Sequence, residues 1–409
     1  MVSELAKSYD PLGAHSDDPY PFYAQARRDE PVFYSPRLDA WVVTRFRDVE
    51  AILKDPEGFS SVNSLRAIRE LYPATLTVLA DGFPMVPDHV TSDGEVHRRL
   101  RQPYTRHLTA SGRVKGMEPD IRERADALVD SFVGDGGADL VTRFAAPLPA
   151  VTAAALFGFA PEDVATVKAG SEASFSLGDV DLAEDDEVEA ARRVVNFKNL
   201  VAGYVRRRRD APEGDLISDV VAALAPADGP LDRDRETELV TTISSTFGAS
   251  HITTADLIGS AIRLLAAHPE QWELLCREPA LIPNAVEEVL RFETPIPTMF
   301  RRATRVVELG GAEIPQGADV LVVFSSANRD EDRYPDADRF DVTRKPSRHF
   351  SFGAGLHTCV GAAPARVQGR IALQVLTERL PGLHRTTDRH IPLRRSINVR
   401  GPLELEFRW

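Results

Sequence analysis

A lone cysteine closes the glycine-rich run FSFGAGLHTCVGA (Phe350–Ala362), directly before a segment with the four-residue apolar spacing of a helix. Amides left unbonded at a helix N-terminus favour negative charge, so Cys359 is expected to hold its thiolate form more readily than an ordinary cysteine. Gly353, Gly355 and Gly361 leave the backbone bare, which lets it pass close to a flat, bulky partner. Two other chemistries fit less well. A dinucleotide loop needs Gly-x-Gly-x-x-Gly, but Thr358 occupies the third glycine position. A cysteine hydrolase needs a histidine poised against the thiol and an acid to orient it; His357 is two residues from Cys359 and no orienting acid is evident.

The second unusual stretch is GASHITTAD (Gly248–Asp256), in the middle of a long helical pattern. Gly, Ser and Thr are poor or mediocre helix formers. Either a neighbouring helix crosses closely there, or something must approach the backbone. Both readings stand on the residues alone.

The elements that must position these two stretches can be outlined from the same sequence. VFYSPRLDAWVV (Val32–Val43) reads as a hairpin, with two apolar runs around a Pro/Asp turn. From Asp93 to about Glu293 the periodicity is mainly helical. Ser92 to Glu95 matches a capping box opening a helix that carries His97 and Arg101 on one face. Arg206 to Arg209, followed by Asp210, Pro212 and Gly214, read as a solvated helix end. The long helix is expected from Glu236 to about Ala267, stopped by His268-Pro269. A shorter one carries Trp272, Leu275 and Cys276, and another runs from Ile282 to Glu293. VVELGGAEIPQGADVLVVF then reads as a small β-meander broken at Gly310-Gly311 and at Pro315 to Gly317. A last helix spans about Gly361 to Leu380, and the alternating LELEF near the C-terminus reads as an edge strand. The expectation is a mainly α protein with small β-sheets near 30–45, 300–325 and 385–409, folded as a single domain over 1–409.

A net charge of −13 argues against nucleic acid as a general partner. Two cysteines, Cys276 and Cys359, exclude a four-thiolate zinc site and a disulfide framework, and suit a cytoplasmic setting. Cys276, within a helix, reads as a small core residue. There is no His-Glu-x-x-His pair, no basic segment followed by an apolar core at the start, and no apolar run long enough to span a membrane.

The cysteine loop resembles the heme-binding signature of the cytochrome P-450 family, Phe-x-x-Gly-x-x-x-Cys-x-Gly, here Phe352 to Gly361. Further segments resemble that family in the same order along the chain: His97-Arg-Arg-Leu-Arg101, Glu288-Val-Leu-Arg291, and Arg333 to Phe340 with Ala327-Asn-Arg-Asp330 before it. The resemblance implies the family's fold, a triangular helical prism with heme between the long oxygen-side helix and the helix after the ligand cysteine. It implies heme b bound through the Cys359 thiolate, which pushes electron density onto the iron and favours O–O cleavage. His97, Arg101, Arg301 and His357 would meet the heme propionates, with Arg302 adjacent to Arg301. Phe352, Gly353 and Gly361 would shape the loop, and Glu288, Arg291 and Arg339 would form a buried ion network supporting it.

By the same resemblance, GASHITTAD lies on the oxygen side, with Thr253 and Ser250 as its catalytic hydroxyls. Ile252 stands where the family usually has an acid and cannot relay a proton; His251 next to it is expected to pack or face solvent. The implied activity is oxidation of a small organic substrate, apolar, aromatic or a secondary metabolite, by dioxygen. Loss of the acid keeps open oxidative coupling, nitration with nitric oxide, peroxide-driven oxidation, or a heme and ligand binder with little turnover. No flavin or iron–sulfur segment is recognisable, so electrons are expected from a separate ferredoxin or flavodoxin and its reductase. These would dock on a monomer through Arg98, Arg99, Arg344, Lys345, Arg348, Arg366 and Arg370. Pocket positions are expected at Phe83, Met85, Val86, Ser245, Gly248, Ala249, Ile252, Ile296 and Ile397, with Leu79 to Val90 as a mobile lid.

Overall fold

The apolar spacing of the central sequence becomes helix nearly where the pattern requires it. In the computed structural model, which describes residues 2–109, 113–226, 229–386 and 389–409, the long helix runs Arg233–Ala266. It begins three residues before the apolar pattern because Asp232 accepts from the Arg235 amide at 2.9 Å and caps the first turn. It stops where His268 Nδ1 donates to the Leu264 carbonyl, 2.8 Å away, and Pro269 opens the next helix, Pro269–Arg277. Helices Ile282–Phe292 and Ala362–Arg379 follow their apolar faces closely. Residues 110–112 and 227–228 of the expected helical region, and 387–388 of the last β-rich region, lie outside the described residues.

The chain divides into two compact units, one of Met1–Leu65, Glu118–Leu148 and Thr253–Trp409, the other of Arg66–Met117 and Pro149–Ile252. The first holds the sheets. The expected hairpin forms from β1 (Val32–Ser35) and β2 (Ala40–Val43), in register from Val32 opposite Val43 to Ser35 opposite Ala40. With β3 (Phe59–Ser60), β5 (Thr298–Ala303) and β8 (Asp319–Val323) they make a sheet of order β1-β2-β8-β5-β3, in which β2 and β8 are parallel. Its core includes Val43, Val320, Val322 and Phe324, packed together with Phe350 and Ala354 of the cysteine loop. The loop therefore stands on the sheet.

Two β expectations are corrected. β6 (Val307–Leu309) and β7 (Ala312–Ile314) form a separate hairpin, while β8 leaves for the larger sheet instead of completing a meander. Gly317, at φ 81°, turns the chain away, and Val320, Leu321 and Val322, all buried, need cover on both faces, which a two-stranded ribbon cannot give. LELEF is not an edge: β10 (Glu406–Arg408) pairs on one side with β4 (Gly137–Asp139) and on the other with β9 (His384–Arg385). Alternation reports a buried face, here Leu405 and Phe407, and says nothing about how many neighbours a strand has.

The second unit is helical, with helices Gly94–Thr109, Val164–Ser176, Glu184–Asp210 and the first part of the long helix. The capping box at Ser92 does not form. The Ser92 hydroxyl bonds to the Asp88 carbonyl instead, and the His97 amide, in the helix's first turn, donates to the Asp93 carbonyl at 3.2 Å. Nor is the run Arg206 to Arg209 wholly solvated. Arg208 is buried, bonded to Asp215 at 2.5 Å and to the Gly158 carbonyl at 3.0 Å, because an arginine at a helix C-terminus can serve the next helix's N-terminal acid. Among the described residues no helix is long and apolar enough to cross a membrane.

Candidate active site at the cysteine loop

Residue type dictates the loop's path. Gly353 (φ 63°) and Gly355 (φ 70°) take the left-handed region that side chains resist. A Cβ on Gly355 would also lie 2.3 Å from the Leu53 carbonyl oxygen. The turn is closed by Cys359 N–H donating to the Phe352 carbonyl at 2.8 Å and by the Thr358 hydroxyl donating to the Gly355 carbonyl at 2.8 Å. Cys359 is left exposed, three residues before the first turn of Ala362–Arg379. Cys276, the other cysteine, is half-buried, and burial pushes its thiol up, away from the thiolate. Only the Cys359 setting suits an anionic sulfur ligand.

Behind the loop lies a dense polar clamp. Arg291 binds Glu288 through two bonds of 2.7 and 2.8 Å, both side chains buried, and donates to the carbonyls of Asn328, Ala337 and Arg339 at 3.1, 2.8 and 3.2 Å. Arg339 enters only through that carbonyl; its side chain is 71% exposed and reaches Asp341 at 3.8 Å. The second guanidinium on Glu288 is that of Arg344, at 3.2 Å. A charged residue beside an aromatic in the sequence does not reveal whether side chain or carbonyl faces inward, which is why Arg344 was missed as a clamp residue. Asn328, whose carbonyl this clamp holds, accepts from the Phe350 amide at 2.7 Å and donates to the Ser351 hydroxyl at 2.9 Å.

Glu287 makes a smaller clamp. It accepts from Arg366 at 2.6 and 3.0 Å and from His349 at 3.2 Å, and Arg366 lies over the Phe352 ring, 4.4 Å from its centroid. Burial alone would raise the Glu287 carboxyl, but the bonds from His349 and Arg366 outweigh it and hold the group down at about 2. Most of the basic residues expected to greet a redox partner are likewise engaged with acids: Arg98 with Glu95, Arg99 with Glu238, Arg344 with Glu288, Arg348 with Glu50, Arg366 with Glu287 and Arg370 with Glu118. Lys345 is exposed.

A heme would take the Cys359 thiolate as its iron ligand and would call for cationic or hydrogen-bonding donors to its carboxylates, and residues of those types are present. On β5 strand alternation separates the two candidate arginines. Arg301 is buried and donates to the Ser64 hydroxyl and the Phe300 carbonyl at 2.9 and 2.7 Å, while Arg302 is exposed and pairs with Asp319 at 3.0 Å. His357 is half-buried in the turn Gly355–His357. In the other unit, His97 is buried and Arg101 half-buried four residues along the same helix. Burial first, and then the charge of Arg101, lower the His97 imidazole below its ordinary value. Within its own unit, the Cys359 loop together with Arg301 and His357 offers the residue types that such a cofactor takes.

On the long helix the expected residues separate. Gly248 faces a neighbouring helix: a Cβ there would lie 2.9 Å from the Phe175 ring and 3.4 Å from the Ser171 Cβ. It serves a helix crossing, not an open pocket, and the crossing is pinned by His251, whose Nε2 lies 2.8 Å from the Ser171 hydroxyl and whose ring lies 5.1 Å from that of Phe247. His251 packs, buried, and does not face solvent. One residue on, Ala249 is exposed, with Ser250 and Thr253 half-buried; Ser250 donates to the Phe247 carbonyl at 2.6 Å. Ile252 is buried. Ser245 bonds to the carboxylate of Asp88, which also accepts from the amides of Val90 and Thr91 at 2.8 and 3.0 Å.

The expected lid segment is fastened rather than loose. Lys198 donates to the Phe83 carbonyl at 2.9 Å, Thr241 to that of Pro84 at 3.3 Å, and His89 meets Thr242 at 3.4 Å. Phe83 is buried, with the Arg233 guanidinium 3.8 Å from its ring centroid; Met85 is 71% exposed and Val86 half-buried. Ile397 is buried with its carbonyl accepting from Thr298 at 2.7 Å, and Ile296 packs on the sheet core.

The family model described as cytochrome P450 matches residues 188–381. Over 395 residues the chain is 37% identical to the 6-deoxyerythronolide B hydroxylase of Saccharopolyspora erythraea, covering 94% of each protein. It is 32% identical to the cytochrome P450 monooxygenase PikC of Streptomyces venezuelae over 90% of this chain and 85% of that one. Among solved structures, cytochrome P450 CREJ in complex with (4-ethylphenyl) dihydrogen phosphate superposes with a TM-score of 0.91 at 31% identity, covering 99% of this chain and 100% of that one. Likeness of this extent, to proteins whose chemistry runs on a cysteine-ligated heme, is what the loop's geometry already called for: the chain belongs to the cytochrome P450 family and is a heme-thiolate monooxygenase.

Proposed function

We propose that this monooxygenase hydroxylates a small, largely apolar secondary metabolite. Electrons come from a separate ferredoxin or flavodoxin with its reductase, in the cytoplasm, and residues 1–409 work as one catalytic domain. The observation that carries the reading is the Cys359 turn: an exposed sulfur at the end of a glycine-built loop, with Phe352 receiving its amide. The relatives named as a 6-deoxyerythronolide B hydroxylase and as PikC support the substrate class.

The bound heme supplies oxygen activation and the two-electron oxidation of a C–H bond. The chain's own residues do the rest. Cys359 is the iron ligand, and the clamp of Glu288, Arg291 and Arg344 keeps its loop from shifting. His97, Arg101, Arg301 and His357 supply hydrogen bonds and charge to the cofactor's carboxylates. Ala249 gives the substrate room beside the long helix, and the hydroxyls of Thr253 and Ser250 hold water and protons there. A second reading, oxidative coupling, nitration or peroxide use, is favoured by one observation: position 252 is a buried isoleucine.

The primary test is the ferrous–CO spectrum. The parent protein is expected to give the thiolate-type band, and Cys359→Ser to lose it along with all turnover. A parent without that band sinks the proposal. Tight coupling of electrons to hydroxylated product, in a screen of apolar metabolites that shift the ferric heme spectrum, would remove the second reading.

A further inference from the structure

A lysine is rarely buried without an acid beside it. Lys198, midway along Glu184–Asp210, is 5% exposed, and among the described residues it makes no ion pair. Its ammonium donates to one neutral acceptor, the Phe83 carbonyl at 2.9 Å. A single carbonyl replaces only part of the water that a buried ammonium gives up, so burial favours the neutral amine. Resting on the reading that an apolar molecule must enter beside the long helix, we propose that residues 82–87 form an entry strap seated over Lys198, and that opening the strap takes up a proton on that lysine.

The strap hangs between two fixed points. Before it, helix Pro73–Ala80 rests on Glu184–Asp210: Glu187 accepts from the Tyr72 amide at 2.8 Å, and Leu79 packs on the cluster of Ala173, Ala190 and Val194. Glu187, Ala190, Val194 and Lys198 follow one another on a single helix face. After it, Asp88 bonds to Ser245 of the long helix and accepts from the Val90 and Thr91 amides. Besides the Lys198 bond, three contacts seat the strap. Gly82 lies so close to Glu184–Asp210 that a Cβ there would stand 3.1 Å from Val195 Cγ2. The buried Phe83 ring has the Arg233 guanidinium 3.8 Å from its centroid. Thr241 donates to the Pro84 carbonyl at 3.3 Å, a long bond. Pro84, Met85 and Pro87 are exposed, and the two prolines have no N–H with which to tie the strap down. Lifting it therefore breaks two hydrogen bonds and unseats one ring.

Burial lowers the Lys198 ammonium to about 8, against 10.5 for the ordinary side chain. The charged groups on the surrounding elements are engaged elsewhere or face solvent. Helix Pro73–Ala80 carries none, and Asp81 after it is exposed. On Glu184–Asp210, Glu187 is bound by Arg69, Glu189 pairs with Arg192 and Arg193, and Glu184 to Asp186 are exposed. On the long helix Arg233 pairs with Glu236, which also holds Arg206. Lys168 pairs with Glu172 on Val164–Ser176, and Asp219 of Leu216–Leu224 is bonded to His107. Burial takes the imidazole of His89 down to about 4, so it stays neutral. An opened strap returns Lys198 to water and to its ordinary value. Between about 8 and about 10.5 the open strap holds a proton that the closed one lacks, so closure strengthens as pH rises through that window. Below about 8 the ammonium is charged in both forms, its burial opposes closure fully, and opening is easiest. A seat held weakly at neutral pH suits a passage that must both admit substrate and release product.

The probe is phenylimidazole, an apolar nitrogen ligand that shifts the ferric heme spectrum and is neutral across this range. Its rate of binding to heme-loaded parent is expected to fall about tenfold from about pH 7.5 to about pH 9.5, while the rate for Lys198→Met stays level. Hydrogen exchange at the amides of residues 82–90 reads the strap without the probe. Taken as the ratio of parent to Lys198→Met at each pH, so that intrinsic exchange cancels, it should fall over the same range. A Gly82→Cys/Val195→Cys bridge pins the strap, since a Cβ at 82 stands 3.5 Å from the Val195 Cβ, within disulfide reach. Oxidised, the bridge should slow phenylimidazole about tenfold and remove the pH dependence, and reduction should restore both. If Lys198→Met does not hold heme, the oxidised bridge serves as the level reference. Equal pH slopes in parent and reference, or an oxidised bridge that leaves the binding rate unchanged, would overturn the inference. A parent lacking the thiolate-type CO band would instead sink the reading on which it rests, with the exchange ratio still deciding whether Lys198 governs the strap.

Discussion

The cysteine loop and the middle of the long helix are built in opposite ways. In the loop, backbone and side chains are tied from outside: Asn328 holds Phe350 and Ser351, Glu288 and Arg291 hold Asn328, and Glu287 holds the arginine that covers Phe352. In the helix Thr237, Thr246 and Ser250 bond back to the carbonyls of Arg233, Thr242 and Phe247, while Thr241, Thr242 and Ser245 reach Pro84, His89 and Asp88 of the neighbouring segment. The first three bonds satisfy the side chain without committing it to any partner, at some cost to helix regularity. A metal ligand needs a fixed position. Hydroxyls that handle water and protons need freedom to turn.

That difference sets the largest expected effect. Glu288→Gln should leave the buried Arg291 guanidinium without its countercharge and destabilise the fold by about 3–5 kcal/mol, the usual result of breaking one side of a buried pair. Thermal unfolding and the heme-to-protein ratio would measure it, and both should fall. An unchanged melting temperature would mean that the loop stands without its clamp, and the comparison would break.

Gly248→Ala probes the other region and should cost less, about 1 kcal/mol, because the Phe175 ring edge can give by the few tenths of an ångström that a 2.9 Å contact requires. KM for substrate and the substrate-induced heme shift should not move, since Gly248 serves a helix crossing. A large change in KM with unchanged stability would return Gly248 to the pocket.

The two regions were also unequally legible. The loop's demands are written in residue identity: glycines at positive φ, one cysteine, and a Glu and Arg three apart whose pairing a helix enforces. Those could be read without coordinates, as could the bounds of the helices around them. The long helix was harder, because Gly248 and Ala249 are adjacent small residues and only the packing of Phe175 and Ser171 decides which one faces a neighbour. Arg339 and Arg344 pose the same difficulty, a choice between carbonyl and guanidinium that tertiary geometry alone makes. β8 and β10 show it for sheets, where a pattern of buried faces does not name the partner strand.

The smallest effect concerns pH and again falls on the loop. Hydrogen bonds from His349 and Arg366 depress the folded Glu287 carboxyl to about 2, against 4.5 for the ordinary side chain. A carboxyl lowered on folding contributes stability that is complete above its unfolded value and lost as pH falls through the folded one. Glu287 should therefore support the cysteine loop fully above about 4.5 and progressively less toward about 2. Because the group is only partly shielded from water, its effect should be modest. Melting temperatures of parent and Glu287→Gln would converge as pH drops through that window and stay apart at neutral pH. Since Arg366 also covers Phe352, the variant should shift the ferric heme spectrum slightly at neutral pH, while Gly248→Ala should leave it alone. Parallel melting curves across the whole acid range would mean that Glu287 is not part of what holds the loop.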